Sequence, residues 1–279
     1  MSTFQCGRFR LDLSSPKVMA IINLTADSFA GDGLHGDLTE AVRRAECALE
    51  QGAHMLDVGA ESTRPGAHAV SPAQELERVL GFIERTRDWK VPLSIDTQKP
   101  EVMAAALAAG ADMINDINAF RAPGAIEAVA ASNAGLCVMH MQGEPRTMQD
   151  NPRYVDVLAE VERFLDARVR ALEMAGVARD RIVLDPGFGF GKRTEHNYAL
   201  LRELKRFGAD GLAVLAGMSR KSMLGAVSGR AVDERMPASV AAALIAVQRG
   251  AGIVRVHDVG PTLDALKVWQ AVCGDGRAA

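Results

Sequence analysis

The chain has 279 residues, 48% hydrophobic and 24% charged, with a net charge of −3. This is ordinary globular usage, which excludes a disordered or fibrous chain, and the slight negative charge gives no electrostatic case for nucleic acid or an anionic membrane as partner. The length is close to the roughly 250 residues of a one-domain barrel and also allows two smaller domains.

Residues 1–16, "MSTFQCGRFRLDLSSP", lack an apolar signal-type stretch and read as a short N-terminal extension. Eight short β-like runs follow: "VMAIIN" from Val18, "HMLDVG" from His54, "PLSID" from Pro92, "MINDI" from Met113, "LCVMH" from Leu136, "IVLDP" from Ile182, "AVLAG" from Ala213 and "IVRVHD" from Ile253. The earliest, Val18 to Ile22, is far too short to span a membrane. Helical spacing fills the intervals, as at Leu76, Val79, Leu80 and Ile83, and again from Leu158 to Leu172. Ser71-Pro72 with Gln74 predicts an N-cap, an N1 proline and a capping-box partner. Gly52-Ala53, Gly110-Ala111, Gly208-Ala209 and Gly250-Ala251 each fall where a helix should end, and glycine there would supply a left-handed stop. No linker or low-complexity stretch divides the chain. Eight strand–helix units predict a single (β/α)8 barrel over residues 1–279, with an open doubly wound sheet as the rival. The four cysteines are widely spaced with no zinc pattern, so reduced thiols and a soluble, cytoplasmic protein are expected.

Polar residues collect at the strand ends: Asn23, Asp57, Asp96, Asn115 with Asp116, His140, Asp185, Ser219, and Arg255 with His257. In a barrel that end is the active face. Asp57, followed by Gly59, reads best as a cap for the next helix, and His140 serves equally as a hydrogen-bonded wall residue. Asp96, Asn115 and Asp185 offer acceptors and an amide to a flat heterocycle rich in N–H groups. Arg64, Lys221, Arg255 and His257 offer positive charge to a diphosphate or carboxylate. Strand alternation puts Arg255 and His257 on one side, where they can share one anion. "GMSRKSMLG" around Lys221 reads as a helix start able to hold a carboxylate.

The loop "DPGFGFGK", Asp185 to Lys192, fits neither the P-loop pattern, which needs glycine at Pro186 and Ser or Thr at Arg193, nor the G-x-G-x-x-G fingerprint. Its glycines suit either a close pass of backbone beside a planar ring walled by Phe188 or Phe190, or a plain turn.

From about Lys17 onward the chain resembles the dihydropteroate synthases. The resemblance is carried by "NLTADSF", "ESTRPGA", "SIDT", "INDI", "MHMQGEPRTMQ", "DPGFGFGK", "SRKS" and "RVHD", in family order. It implies a dimeric (β/α)8 barrel that joins 6-hydroxymethyl-7,8-dihydropterin diphosphate to p-aminobenzoate with Mg2+ assistance and is blocked by sulfonamides. By resemblance, Asp96, Asn115, Met139, Asp185, Gly217 and Lys221 would surround the pterin. Asn23, Arg64, Arg255 and His257 would meet the diphosphate, and Asn23 the metal. Thr63, Pro65, Phe29, Phe190 and Ser222 would surround p-aminobenzoate, and Asp96, Lys221 and Asp27 would take part in catalysis. One departure is Ala26, where the family carries proline before Asp27; its loss frees a fixed φ. Two rivals remain at this point: a methyltetrahydrofolate-dependent methyltransferase, which needs no diphosphate site, and a non-catalytic pterin-binding paralogue.

Overall fold

The computed structural model describes residues 3–24, 34–61, 70–145 and 147–273, without the side chains of 34–37. It opens with a hairpin of β1 (Thr3–Cys6) and β2 (Phe9–Asp12), antiparallel with Cys6 opposite Phe9. Eight parallel strands then alternate with helices: β3 (Lys17–Asn23), α1 (Leu34–Glu50), β4 (Met55–Gly59), α2 (Pro72–Thr86), β5 (Leu93–Asp96), α3 (Pro100–Ala109), β6 (Met113–Asp116) and α4 (Ala125–Ala130). The second half continues with β7 (Gly135–Met139), α5 (Val157–Met174), β8 (Ile182–Asp185), α6 (Thr194–Arg202), β9 (Ala213–Ala216), α7 (Ser222–Ser228), α8 (Met236–Gln248), β10 (Ile253–Val256) and α9 (Val259–Cys273). β10 pairs with both β3 and β9, closing the barrel and ruling out the open sheet.

The pleat divides each strand between two environments. Val18, Ala20, Ile22, Leu56, Val58, Ile95, Ile114, Leu136, Val138, Leu184, Val214 and Val254 face outward into the core shared with the helices. Met19, Met55, Met113, Cys137, Val183, Leu215 and Ile253 fill the lower interior. The segment expected as an extension closes this interior: Phe4, Cys6 and Leu13 are buried in the same cluster. A Cβ on Gly135 would lie 2.5 Å from the Phe4 ring, so glycine there leaves room for it. Arg8 fixes the hairpin through Nε and Nη2, each 2.9 Å from the Asp112 carboxylate.

Helix ends follow local chemistry. Ser71 Oγ accepts from Gln74 N at 3.3 Å, and Gln74 Oε1 accepts from Ser71 N at 3.2 Å, completing the expected capping box. Gly52, Gly110 and Gly250 take φ of 99°, 113° and 96°, and the following alanine N–H returns to the carbonyl five residues back: Ala53 to Ala48, Ala111 to Ala106, Ala251 to Ala246. Gly208 departs from the expectation. It ends a 3-10 turn (Leu204–Gly208), and what it supplies is space, since a Cβ would stand 3.3 Å from Val214 Cγ2. Gly176, with φ of 86° and Val177 N bonded to Leu172 O, makes a further stop, as does Gly229 at φ of 70° after α7.

Phe4→Ala is expected to cost about 3–5 kcal/mol through loss of a buried ring, whereas Ser71→Ala should cost about 1 kcal/mol. Urea unfolding followed by circular dichroism compares them. Equal midpoints for Phe4→Ala and the parent would show that the hairpin is not part of the cooperative core.

Candidate active site

Above the apolar layer the inward positions turn polar: Asp57 on β4, Ser94 and Asp96 on β5, Asn115 on β6, Asp185 at the end of β8 and Arg255 on β10, with Met139 ending β7 and Gly217 just past β9. Register keeps several level, with Asp57 beside Ser94, Asp96 beside Asn115 and Met139 beside Asp185. Asp116 is one residue out of phase. It is buried, and its carboxylate accepts from Asn118 N at 2.7 Å and Phe120 N at 2.6 Å. Burial raises it to about 6 in spite of those bonds.

Arg255 joins the wall together. Its Nε donates to Asp57 at 2.5 Å and its Nη2 to Asp96 at 2.9 Å. Asp57, wholly buried, also accepts from Ser94 Oγ at 2.6 Å and Asn115 Nδ2 at 3.1 Å. It is therefore no helix cap, as its sequence context suggested, but the anchor of the site's acceptor and cation alike. Burial works against the Arg255 charge, yet the two carboxylates hold its pKa above the ordinary guanidinium value. Burial drives Asp96 the other way, up to about 7, with Arg255 opposing and the nearby Asp57 adding to the rise. Two of the cationic residues, Arg255 and Lys221, thus stand among the acceptors, the first bonded to Asp96 and the second near Asp185.

Asp185 Oδ1 accepts from Gly187 N at 2.7 Å. Burial raises its pKa, against the pull of Lys221. Lys221 Nζ donates to Phe188 O at 2.5 Å and lies 4.6 Å from the centre of the Phe190 ring, a cation–π distance. Burial lowers it to about 8, with Asp185 opposing. Phe188 is in the core, whereas Phe190 is half-buried at the mouth and packs against a cluster of Ile117, Met139, Met141 and Met148. Gly187, Gly189 and Gly191 have φ of 73°, 79° and 62°. A Cβ on Gly187 would strike His140 O and one on Gly191 would strike Gln142 O. Gly187 and Gly191 therefore admit neighbouring protein backbone, whereas Gly189 meets a side chain alone, with Lys221 Cδ 3.1 Å from a Cβ built there.

At the rim, His257 Nδ1 lies 2.9 Å from Ser219 Oγ, which also accepts from His257 N. Arg255 and His257 share a side but bond different neighbours. Asn23 ends β3, half-buried, opposite Gly59. Ser222 is exposed at the first position of α7, directly after Lys221. Arg220 holds this turn at φ of 59°, with its N–H on Ser239 Oγ and its guanidinium on Asp258. Ala26, Asp27, Phe29, Thr63, Arg64 and Pro65 lie outside the described residues. Besides Asp57, the sequence reading passed over Lys192, which is buried among the carbonyls of its own loop.

Residues 19–257 match the family described as pterin binding enzyme. The dihydropteroate synthase of Neisseria meningitidis serogroup B is 50% identical over 276 residues, covering 96% of this chain and 97% of that protein. The crystal structure of Burkholderia cenocepacia dihydropteroate synthase complexed with 7,8-dihydropteroate superposes with a TM-score of 0.91 at 55% identity, over 100% of this chain and 99% of that one. A Yersinia pestis dihydropteroate synthase with a sulfonamide drug gives 0.91 at 43% identity, over 97% and 98%. The chain belongs to the dihydropteroate synthase family of pterin-binding barrels.

Asp57→Asn removes the charge facing Arg255 while keeping the side-chain volume. Breaking a buried ion pair from one side costs about 3–5 kcal/mol, so a lower unfolding midpoint and a displaced guanidinium in the variant's crystal structure are expected. An unmoved Arg255 with an unchanged midpoint would remove Asp57 from the framework of the site.

Proposed function

We propose that this chain is a dihydropteroate synthase, joining the methylene of 6-hydroxymethyl-7,8-dihydropterin diphosphate to the amine nitrogen of p-aminobenzoate and releasing diphosphate, in folate biosynthesis. The observation that carries this reading is the Asp96–Arg255 pair on the inner wall, between Asn115 and Asp185 on one side and the rim residues Asn23 and His257 on the other. Asp185, Asn115 and Asp96 would take the pterin N–H groups, with Met139 and Gly217 as walls and Lys221 at its edge. Two of the five Arg255 N–H groups are used by Asp57 and Asp96; the rest, with His257, Asn23 and Arg64, would meet the diphosphate. Phe190 and Ser222, with Phe29, Thr63 and Pro65, would surround p-aminobenzoate, and sulfonamides would compete there. A methyltransferase has no use for this cationic rim.

The donor set bears on Mg2+. Among the described residues no group of three or more His, Cys, Asp or Glu side chains is placed to hold a metal, and Asn23 offers one amide oxygen. That fits an ion that would come with the diphosphate and take Asn23 as a protein donor. When bound, it would neutralise charge on the leaving group. Pairing into a homodimer has a candidate surface in exposed Val227, Val232, Met236, Ile245, Val268 and Val272, on and between the successive helices α7, α8 and α9. No helix among the described residues is long and apolar enough to cross a membrane; a cytoplasmic location is part of the proposal.

In the proposed reaction the C–O bond opens first and its electron pair leaves with the diphosphate. The amine lone pair then forms the C–N bond and the nitrogen gives up one proton. Positive charge spreads from the methylene into the ring in between, facing Asp96. Preorganised charge of this kind is commonly the largest catalytic contribution.

Diphosphate release dependent on both substrates tests the function; no release with both present would refute it. Asp96→Asn should lower turnover by roughly 100- to 1000-fold and pterin affinity much less. Equal losses would mean ground-state binding only. With Mg2+ and no p-aminobenzoate, label in the bridging oxygen should scramble into the diphosphate, and absence of scrambling would point to concerted displacement.

For the pH profile, Asp96 must be ionised and Lys221 charged. Efficiency toward the pterin substrate should therefore rise as pH passes about 7 and fall beyond about 8. Lys221→Arg, charged throughout, should lose the alkaline limb. A profile in that variant identical to the parent's would take Lys221 out of the titration.

A further inference from the structure

Every carbonyl from Gly187 to Lys192 accepts from a side chain. Lys192 Nζ takes Gly187 O at 2.9 Å and Phe190 O at 3.0 Å, and Lys221 takes Phe188 O at 2.5 Å. Gln149 Nε2 takes Gly189 O, Tyr154 Oη takes Gly191 O at 2.8 Å, and Asn197 Nδ2 takes Lys192 O at 3.3 Å. Left-handed glycines cannot make a regular ladder, so side-chain donors meet these carbonyls, Gly187 O accepting from Phe190 N at 3.1 Å as well.

Lys192 is the member that acts from below. It is 3% exposed, and its ammonium also lies 2.8 Å from His140 Nδ1 and 3.2 Å from His140 O. Four acceptors around one nitrogen are the surroundings of a cation. The ring nitrogen can accept only from a neutral imidazole, and burial, with the Lys192 charge beside it, lowers His140 to about 2. Burial also lowers Lys192, while Asp185 and the acceptor shell favour its charged form. The His140 ring is in turn braced edge-on by Phe164, with centroids 4.9 Å apart.

Two groups of the site hang on this arrangement. Gly187, held through its carbonyl, aims its N–H at Asp185 Oδ1. Phe190, held the same way, stands its ring against Lys221. We propose that Lys192 is a positioning residue for both substrates: its ammonium, fixed by two carbonyls of its own loop and two atoms of His140, sets the loop that orients Asp185 and Phe190. The inference rests on the function proposed above, because it names those two residues as substrate contacts.

Lys192→Ala deletes the ammonium and leaves a small cavity lined by acceptors. With the far-UV spectrum retained, efficiency toward the pterin diphosphate should fall about ten- to a hundredfold, the scale of losing a charged hydrogen-bond partner, and KM for p-aminobenzoate should rise, with kcat less affected. Methylammonium should restore part of the loss and tetramethylammonium, which has no N–H, none. A folded Lys192→Ala with unchanged constants would overturn the proposal, and so would a loss that falls on kcat alone. If that variant fails to fold, Lys192→Gln, with two N–H donors, replaces it and should show the same split in smaller measure. Failure of both to fold would make Lys192 a core residue and overturn the proposal too. Parent turnover of the two substrates is measured alongside: its absence would refute the function, whereas an active parent with an indifferent variant would refute only the role of Lys192.

Discussion

The Nε–H and Nη2–H of Arg255 reach Asp57 and Asp96 across the barrel interior at 2.5 and 2.9 Å, and neither side of that contact can be removed from water without the other. Through Asp57 the same contact takes in Ser94 and Asn115, so β4, β5, β6 and β10 are tied at one level. The layer beneath is methionine, valine, leucine and isoleucine, closed by Phe4. A buried ion pair of this sort stabilises a fold little more than a well-packed apolar replacement would. Its place at the top of an otherwise apolar interior therefore makes sense through what it presents to a ligand.

The strands were legible because alternation is a local property. All eight runs became barrel strands, and Asn23, Asp57, Asp96, Asn115, Asp185 and Arg255 fall on the inward phase, as period two requires, whereas Asp116 and His140 stand one residue out of it. Asp57 was misread for the opposite reason. An aspartate two residues before glycine looks like a cap, and the residue that gives it meaning, Arg255, lies 198 positions away. Lys192 was invisible for a similar reason, since His140 is 52 positions before it. The opening hairpin had its signals, Phe4 and Cys6 at alternate positions before a turn glycine, Gly7, but four-residue strands carry too little periodicity to separate from an irregular arm. Gly208 shows the limit of a motif: four Gly-Ala pairs look alike, yet one is shaped by Val214 and not by the end of an α-helix.

The glycine-rich loop shows how composition can be right about geometry and silent about cause. Three glycines implied a close approach, and a close approach is present, but to the backbone of the segment after β7. Because that segment carries His140 and Gln142, packing the two loops together also places the acceptors that Lys192 needs. The lysine and the glycines thus work together: with the loop turned by positive φ, the carbonyls of residues 187 and 190 meet Lys192 and that of residue 188 meets Lys221. No property of either residue type alone predicts this.

Charge separation gives the inner wall its chemical sense. In the proposed reaction the opening C–O bond creates a cation on the pterin methylene and additional negative charge on the diphosphate. Asp96 and Arg255 form a dipole already fixed 2.9 Å apart; in that reaction the carboxylate would face the pterin and the guanidinium the diphosphate. The developing dipole would run antiparallel to it, so each new charge forms opposite its counter-charge. Asp57 would keep the guanidinium in place even if Asp96 turned toward the cation, since its bond is to Nε and does not depend on the Nη2 contact. Burial raises the pKa of Asp96 because an anion there lacks water. An anion short of solvation gains most from a cation forming beside it, and in a site of low polarizability that gain requires no reorganisation at the moment the bond breaks.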